Sequence, residues 1–533
     1  MENNKPFVIL RDDGFTQYFY TKPSEFTAEK FLKENVDFLK DYPEVKVKEF
    51  GLGPGSVFTF DTKVGEVFME NVPDYGYKIC RPEDVYVHDN VMKLIKSGKD
   101  GLKLVTERCH ELGIKVWARL EMNHEYGPPS ESNYAWVDFT GSFNKNHPEY
   151  RIGNNNPVNP EWSDSVNLDF KYQEVRDFKL NVLREAVEHD VDGLSLDFCV
   201  YTPFLSNPQR DHECITQFLR DVRKMLDEEG EKHNKYIELI VRLEYDSRDR
   251  DGLHWDEWIK EGLIDWIIPS VLWINECFDV PNEEFVKACK KTKCKVATCL
   301  RPYFGSAATD EEPGDERSGL VRRAKPILPR IFYAKAFQGL MCGADAIQVA
   351  LGSGSITCDK PDDWKPLYGN LANIDFMKNQ EKEYCFNNLD ILPAPLSPKE
   401  NELTLSLRIG DTPKDLNKAV LSFLARGLTV LETITLYVNG NPIELTEKDL
   451  HWSPLDKPIM AKRGNHGLIT MHPYILFRID KWWDICRNDV EIPVEYLKKG
   501  SNEFKFVYNL HEVTEQPYPL EIGEISLIVT PKE

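Results

Sequence analysis

A chain of 533 residues, 41% of them hydrophobic, is too long for one ordinary domain and can bury a large core, so two domains are expected. Its 88 acidic against 66 basic residues leave a formal charge of -22, which argues against nucleic acid or an anionic membrane as partner because like charges repel at long range. The twelve cysteines contain no CxxC pair and read as buried free thiols of a reducing compartment. No run of eighteen apolar residues occurs, so no membrane span is expected. The start MENNKPF lacks a secretory h-region, and the expectation is a cytoplasmic protein, or a periplasmic or secreted one if a signal peptide preceded this start.

From residue 6 to about 355, short β-rich runs alternate with longer helical patterns, the signature of βα units. The strands read as 6–12 (PFVILRD), 45–51 (VKVKEFG), 115–121 (KVWARLE), 192–198 (DGLSLDF), 237–244 (IELIVRLE), 264–270 (IDWIIPS), 295–301 (KVATCLR) and 345–351 (DAIQVAL). Between them, TAEKFLKENVDFLKDY, GKDGLKLVTERCHELG and EVRDFKLNVLREAVEHD place apolar residues three and four apart, as amphipathic helices do. Eight such strands predict an α/β fold, a closed (β/α)8 TIM barrel, spanning 1–395. Long insertions follow the second and third strands, where a barrel carries its functional loops.

After about 390 the texture changes. LDILPAPLSPKENE is Pro-rich and polar, and short alternating runs follow, from LTLSLRIG to EISLIVTP, split by turns such as NGNP and KKGSNE. They predict an all-β sandwich of jelly-roll type over 396–533.

Barrel enzymes keep their chemistry at the C-terminal ends of the strands, and carboxylates stand at four of these ends: Asp12 and Asp13, Glu121, Asp197 and Glu244. Asp197 closes VDGLSLDF, a strand apolar on both faces, and is the centre of the candidate site. Glycoside hydrolysis needs two carboxyl groups across the scissile bond, one as proton donor and one as nucleophile or base. Asp197 and Glu244, on consecutive strands, are the first pair, with Glu121 in reserve for either role. Each can equally cap a helix or pair with a rim arginine.

Arg119 and Arg242 each precede a strand-end acid by two residues, in RLE both times, so alternation puts each on the same face as its acid. His124 in EMNHEY can donate a hydrogen bond to a sugar hydroxyl, or can be a surface loop histidine. Arg301 can hold a carboxylate or a charged substrate group, Tyr201, Trp273 and Tyr303 follow strand ends where the walls of sugar subsites would lie but can equally be loop packing residues, and Asp13 completes the candidate substrate-binding set. No HExxH or HxH spacing supports a zinc site, and no metal or other cofactor is expected, although Asp13, Glu121 and Asp197 could converge on a hard cation. There is no GxSxG elbow, Walker loop or GxGxxG after the first strand.

VNLDFKYQEVRDFKLNVLREAVEHDVDGLSLDFCVYTPF, followed by HWDEWIKEGLIDWIIPS, resembles the bacterial glycoside-hydrolase-like barrel proteins of the glycosyl-hydrolase-like ten type, over roughly residues 100–350. The resemblance implies a catalytic (β/α)8 barrel acting on a glycan, with Asp197 as the fourth-strand Asp. Phe198 and Cys199 stand where such sequences often carry a second acid, so a vicinal carboxylate pair is absent. DGLSLDF is also similar to the chitinase DGxDxDxE pattern, but Ser195 and Cys199 replace an Asp and the catalytic Glu, which argues against a substrate-assisted mechanism. The expectation is therefore a glycoside hydrolase with a carbohydrate partner. A non-catalytic glycan-binding barrel and a metal-assisted hydrolase or lyase remain as alternatives.

Overall fold

The computed structural model describes residues 5–19, 21–70, 82–125, 141–153, 166–199, 202–271, 279–300, 303–307, 322–326, 329–350, 369–386, 394–397, 399–426, 432–445, 450–451, 459–462, 468–471, 485–510 and 520–532. Eight strands close into a barrel: β1 (Phe7–Arg11), β2 (Val45–Gly51), β3 (Lys115–Glu121), β4 (Gly193–Asp197), β5 (Glu238–Glu244), β6 (Trp266–Ser270), β7 (Lys295–Leu300) and β8 (Ala346–Ala350). Every neighbouring pair is parallel, and Phe7 opposite Ala346 closes the ring. This is the expected TIM barrel, strand for strand, because each run is apolar enough to be covered on both faces.

The helices that cover it are α1 (Ala28–Asn35), α2 (Gly101–Glu111), α3 (Gln173–Val187), α4 (Glu213–His233), α5 (Trp255–Glu261), α6 (Asn282–Cys289) and α7 (Pro329–Cys342). Thr27 and Asp100 cap the first two, accepting from the backbone N–H of Lys30 at 3.1 Å and of Lys103 at 2.9 Å, which satisfies donors a helix start leaves open. No described helix is long and apolar enough to cross a membrane. Eight cysteines whose side chains are described are free thiols, six of them buried.

Period two along the strands sorts the barrel interior into an apolar floor and a charged top. Ile9, Val47, Trp117, Ile240, Trp266, Ile268, Ala297, Cys299 and Ala346 form an internal apolar cluster apart from the main core. Two residues further along their strands, toward the C-terminal rim, stand Arg11, Glu49, Arg119, Arg242 and Gln348, all buried. Charges at that depth persist only if they neutralise one another.

Beyond the barrel lie β9 (Lys382–Phe386), β10 (Ala394–Leu396), β11 (Glu402–Ile409), β12 (Leu416–Arg426), β13 (Glu432–Val438), β14 (Asn441–Glu444), β15 (Ile485–Glu491), β16 (Gly500–Leu510) and β17 (Leu520–Pro531). One antiparallel sheet runs β9-β17-β12-β15 and ends on the short strand Leu450–His451, with β10 also on β17; the other runs β11-β16-β13-β14. Phe423 of β12 meets Phe506 of β16 edge to face at 5.1 Å, joining the sheets as a sandwich does. Strand β9 precedes the expected boundary at 395/396 and β10 straddles it, and both pair with β17. The sandwich is tied to the barrel where Arg408 binds Asp279 at 2.8 Å and Gln338 of α7 donates to both Asp279 and the Arg408 carbonyl at 3.0 Å.

A smaller sheet crosses between the two halves. Tyr303–Ala307 and Arg322–Pro326, which follow β7 at the rim, pair with each other, and the latter runs parallel to Leu468–Met471 from the C-terminal half.

Candidate active site

Asp197 ends β4 with its side chain completely buried. Arg242 donates from Nη1 to its Oδ1 at 2.9 Å and its Oδ2 at 3.0 Å, Arg11 donates to Oδ2 at 2.9 Å, and Arg119 Nη1 lies 3.4 Å from Oδ2. The backbone N–H of Cys199 donates to Oδ1 at 3.0 Å. Burial by itself would raise the pKa of this carboxyl; the guanidinium groups of Arg242, Arg11 and Arg119 outweigh it and hold the pKa below its ordinary value, with Glu121 pulling the other way.

Glu121, the register neighbour of Asp197 on β3, shares two of those arginines. It binds Arg119 directly and lies 3.6 Å from Arg11, while its other oxygen meets His124 Nδ1. Burial opposes ionisation here too, but Arg119, His124 and Arg11 hold the carboxyl well below the usual range. Its side chain keeps 14% of its surface in solvent and that of His124 keeps 17%, whereas Asp197 keeps none. Beneath them Glu49 accepts from Ser195 and from Gln348, adding a third buried carboxyl to the layer of three arginines.

Glu244, at the end of β5, sits in the opposite surroundings. Its partner is Arg250 rather than Arg242, and that guanidinium also binds Asp251 at 2.7 Å and Asp246 at 3.0 Å. Burial pushes the Glu244 carboxyl up to about 7, Asp251 and Asp246 add to the rise, and Arg250 offsets part of it. One carboxylate among three arginines and one arginine among three carboxylates therefore stand at the ends of consecutive strands.

The loops that frame these ends are locked by buried polar groups. Asn123 donates to the carbonyls of Leu168 at 3.1 Å and Pro203 at 2.8 Å and accepts from the Leu168 N–H at 2.9 Å, stitching the β3 loop to the segment before α3 and to the β4 loop. Glu125 and Lys179 of α3 form a fully buried pair at 2.9 Å, and Ser56, from the loop after β2, donates to the same carboxylate at 2.7 Å. Gly55 lies beside it with φ +58°, and a Cβ there would come within 2.3 Å of the His124 carbonyl, so only glycine fits. These described parts of the β2 and β3 loops thus meet at the rim, on the face that carries Asp197. Lys179→Met is expected to cost about 3–5 kcal/mol, since it strands a buried carboxylate. Urea unfolding measures the loss, and an unchanged midpoint would show that the pair does not hold the loop.

Several sequence expectations are relocated. Arg119 does bind the acid two residues on, but Arg242 reaches across to Asp197 and donates to Ser270 at 2.7 Å instead of meeting Glu244. Asp13 is exposed, its carboxylate accepting from the Phe15 N–H at 3.0 Å; it is Asp12 that lies buried, with Lys48 at 2.5 Å. Tyr201, Trp273 and Arg301 lie outside the described residues, and only the backbone of Tyr303 is described. Arg11, Glu49, Gln348 and Arg250 were missed. For Arg11 the signal was available, because Phe7, Ile9 and Arg11 alternate onto one face.

No family model matches the chain, and no curated protein matches it. Among solved structures it is similar to a GH27 β-L-arabinopyranosidase from Geobacillus stearothermophilus, at 11% identity and a TM-score of 0.36, covering 96% of this chain and 98% of that one. It is also similar to the GH36 α-galactosidase AgaB of the same organism, at 11% identity and a TM-score of 0.34, over 92% of this chain and 56% of that one. An α-galactosidase from Thermus thermophilus aligns at 13% identity and a TM-score of 0.36, over 77% and 66%.

Proposed function

We propose that this chain is a glycoside hydrolase acting on an oligo- or polysaccharide, with Glu244 as proton donor and Glu121 as the ionised carboxylate that meets the sugar. Asp197 is then the anchor that fixes the arginines holding Glu121. The observation that supports this reading is the opposed charge setting of the strand ends: an arginine-rich pocket around Asp197 and Glu121, and a carboxylate-rich one around Glu244. Splitting a glycosidic bond needs one carboxyl that keeps its proton near neutral pH and one that has lost it, and surroundings of opposite sign produce that split.

The role first expected of Asp197 passes to Glu121 for a steric reason. A nucleophile or base must reach the anomeric carbon or a water, and Asp197 has no exposed surface and spends both oxygens on hydrogen bonds. His124, bound to Glu121 and partly exposed, is placed to orient it and to contact a sugar hydroxyl.

Incubating the pure protein with a panel of natural glycans and aryl glycosides, and following release of reducing ends, tests the reading. Hydrolysis of at least one member is expected, lost in Glu121→Gln. Binding of a glycan by the wild type without hydrolysis of any would overturn it in favour of a glycan-binding barrel.

A further inference from the structure

The loop after β5 carries the charged groups that surround the Glu244 carboxyl. Arg250 Nη2 is shared between Glu244 and Asp251, Arg250 Nε lies 3.1 Å from the same Asp251 oxygen, and Nη1 binds Asp246. Asp251 is completely buried, and its second oxygen, Oδ1, has no hydrogen-bond partner among the described residues. A buried carboxylate that takes two nitrogens of the only guanidinium beside Glu244 among the described residues is poor economy for stability alone, because half of its hydrogen-bonding capacity goes unused.

The competition has a chemical consequence. Each bond that Arg250 makes to Asp251 reduces what it can give to an ionised Glu244, and the Asp251 charge repels that ionised form directly. We propose that Asp251 is a positioning residue that shares Arg250 with Glu244, so that the guanidinium is not given to Glu244 alone. This rests on the proposed role of Glu244 as acid. The other groups near Glu244 are Asp246, on the same loop and half in solvent, and Ser270, its register neighbour on β6; Arg242, two residues earlier on β5, is turned to Asp197. Arg242 commits both terminal nitrogens to Asp197 and Ser270, which leaves Arg250 and Asp251 as the opposed pair that sets the balance.

Two variants push the balance in opposite directions, which a merely structural role would not do. Carboxyl titration by NMR on glutamate-labelled protein, with Glu244→Gln assigning the resonance, reads the midpoint without requiring turnover. Asp251→Asn removes the repulsion and frees Arg250, so the Glu244 midpoint is expected to fall by about one pH unit or more at these separations. Arg250→Ala removes the cation and is expected to raise it; because buried Asp251 loses its partner, the midpoint is read on protein whose fold is first checked by circular dichroism. A Glu244 midpoint unmoved in both variants, or moved in the same direction by both, overturns the positioning role. If the midpoints move as stated while hydrolysis is indifferent to Glu244→Gln, the positioning role stands and the assignment of Glu244 as acid fails.

Discussion

Asp197→Asn is expected to destabilise the barrel by about 3–5 kcal/mol, a penalty usual for removing one partner of a buried ionic cluster. Its carboxylate is the common acceptor of Arg11, Arg119 and Arg242 and has no exposed surface. With an amide in its place, three buried guanidinium groups would share the carboxylates of Glu121 and Glu49. The loss should be visible as a lower urea midpoint. It should shrink when Arg11 is replaced by Met in the same protein, since one uncompensated charge is then removed, and a double-mutant cycle isolates that coupling. An Asp197→Asn variant as stable as the wild type would mean that the arginines do not depend on it.

The same cluster gives a sign to the pH dependence of stability. Asp197 and Glu121 titrate below their ordinary values, so their contribution is complete above about pH 4 and is lost as pH falls through their folded-state values. Glu244 works in reverse. It binds its proton more tightly in the folded state, so stability declines as pH rises from 4.5 through about 7, and Glu244→Gln should remove that decline.

The second large effect is kinetic. Glu244→Gln is expected to lose about 10²–10⁴-fold in turnover on a natural glycan, the usual contribution of a positioned general acid. It should lose far less on an aryl glycoside whose leaving group departs without protonation. Glu121→Gln should be impaired on both, because the anionic group is needed whatever leaves. In the wild type the rate on the natural substrate should fall above about pH 7 as Glu244 gives up its proton, and this limb should vanish in Glu244→Gln. Equal impairment of Glu244→Gln on both substrates would place the acid elsewhere. If Glu121→Gln stays active while a folded Asp197→Asn variant does not, Asp197 is the anionic group after all.

What the sequence determined by itself is what short-range periodicity encodes. The eight strands were legible because each is an apolar run short enough for a strand and followed by a helical pattern, and their expected ends fall within one residue of Arg11, Gly51, Glu121, Asp197, Glu244, Ser270, Leu300 and Ala350. The rim carboxylates followed from those ends, and the Arg119–Glu121 contact followed from alternation, since residues i and i+2 share a face whatever the strand's neighbours are. Tertiary structure alone decided the partners. Arg11 meets Asp197 across 186 residues, and Arg242 meets Asp197 instead of Glu244, because the parallel register sets Arg242 opposite Asp197 and leaves Glu244 beside the loop that carries Arg250. The protonation states of the rim depend on those partners rather than on residue type. Asp197 lies inside the barrel wall, where all three guanidinium groups can reach it, while Glu244 lies at the edge of the wall, where the chain turns back with two further acids and one arginine. The sandwich followed the same rule: its alternating strands were plain in the sequence, while the pairing of β9 and β10 with β17 was set by contacts more than 120 residues apart.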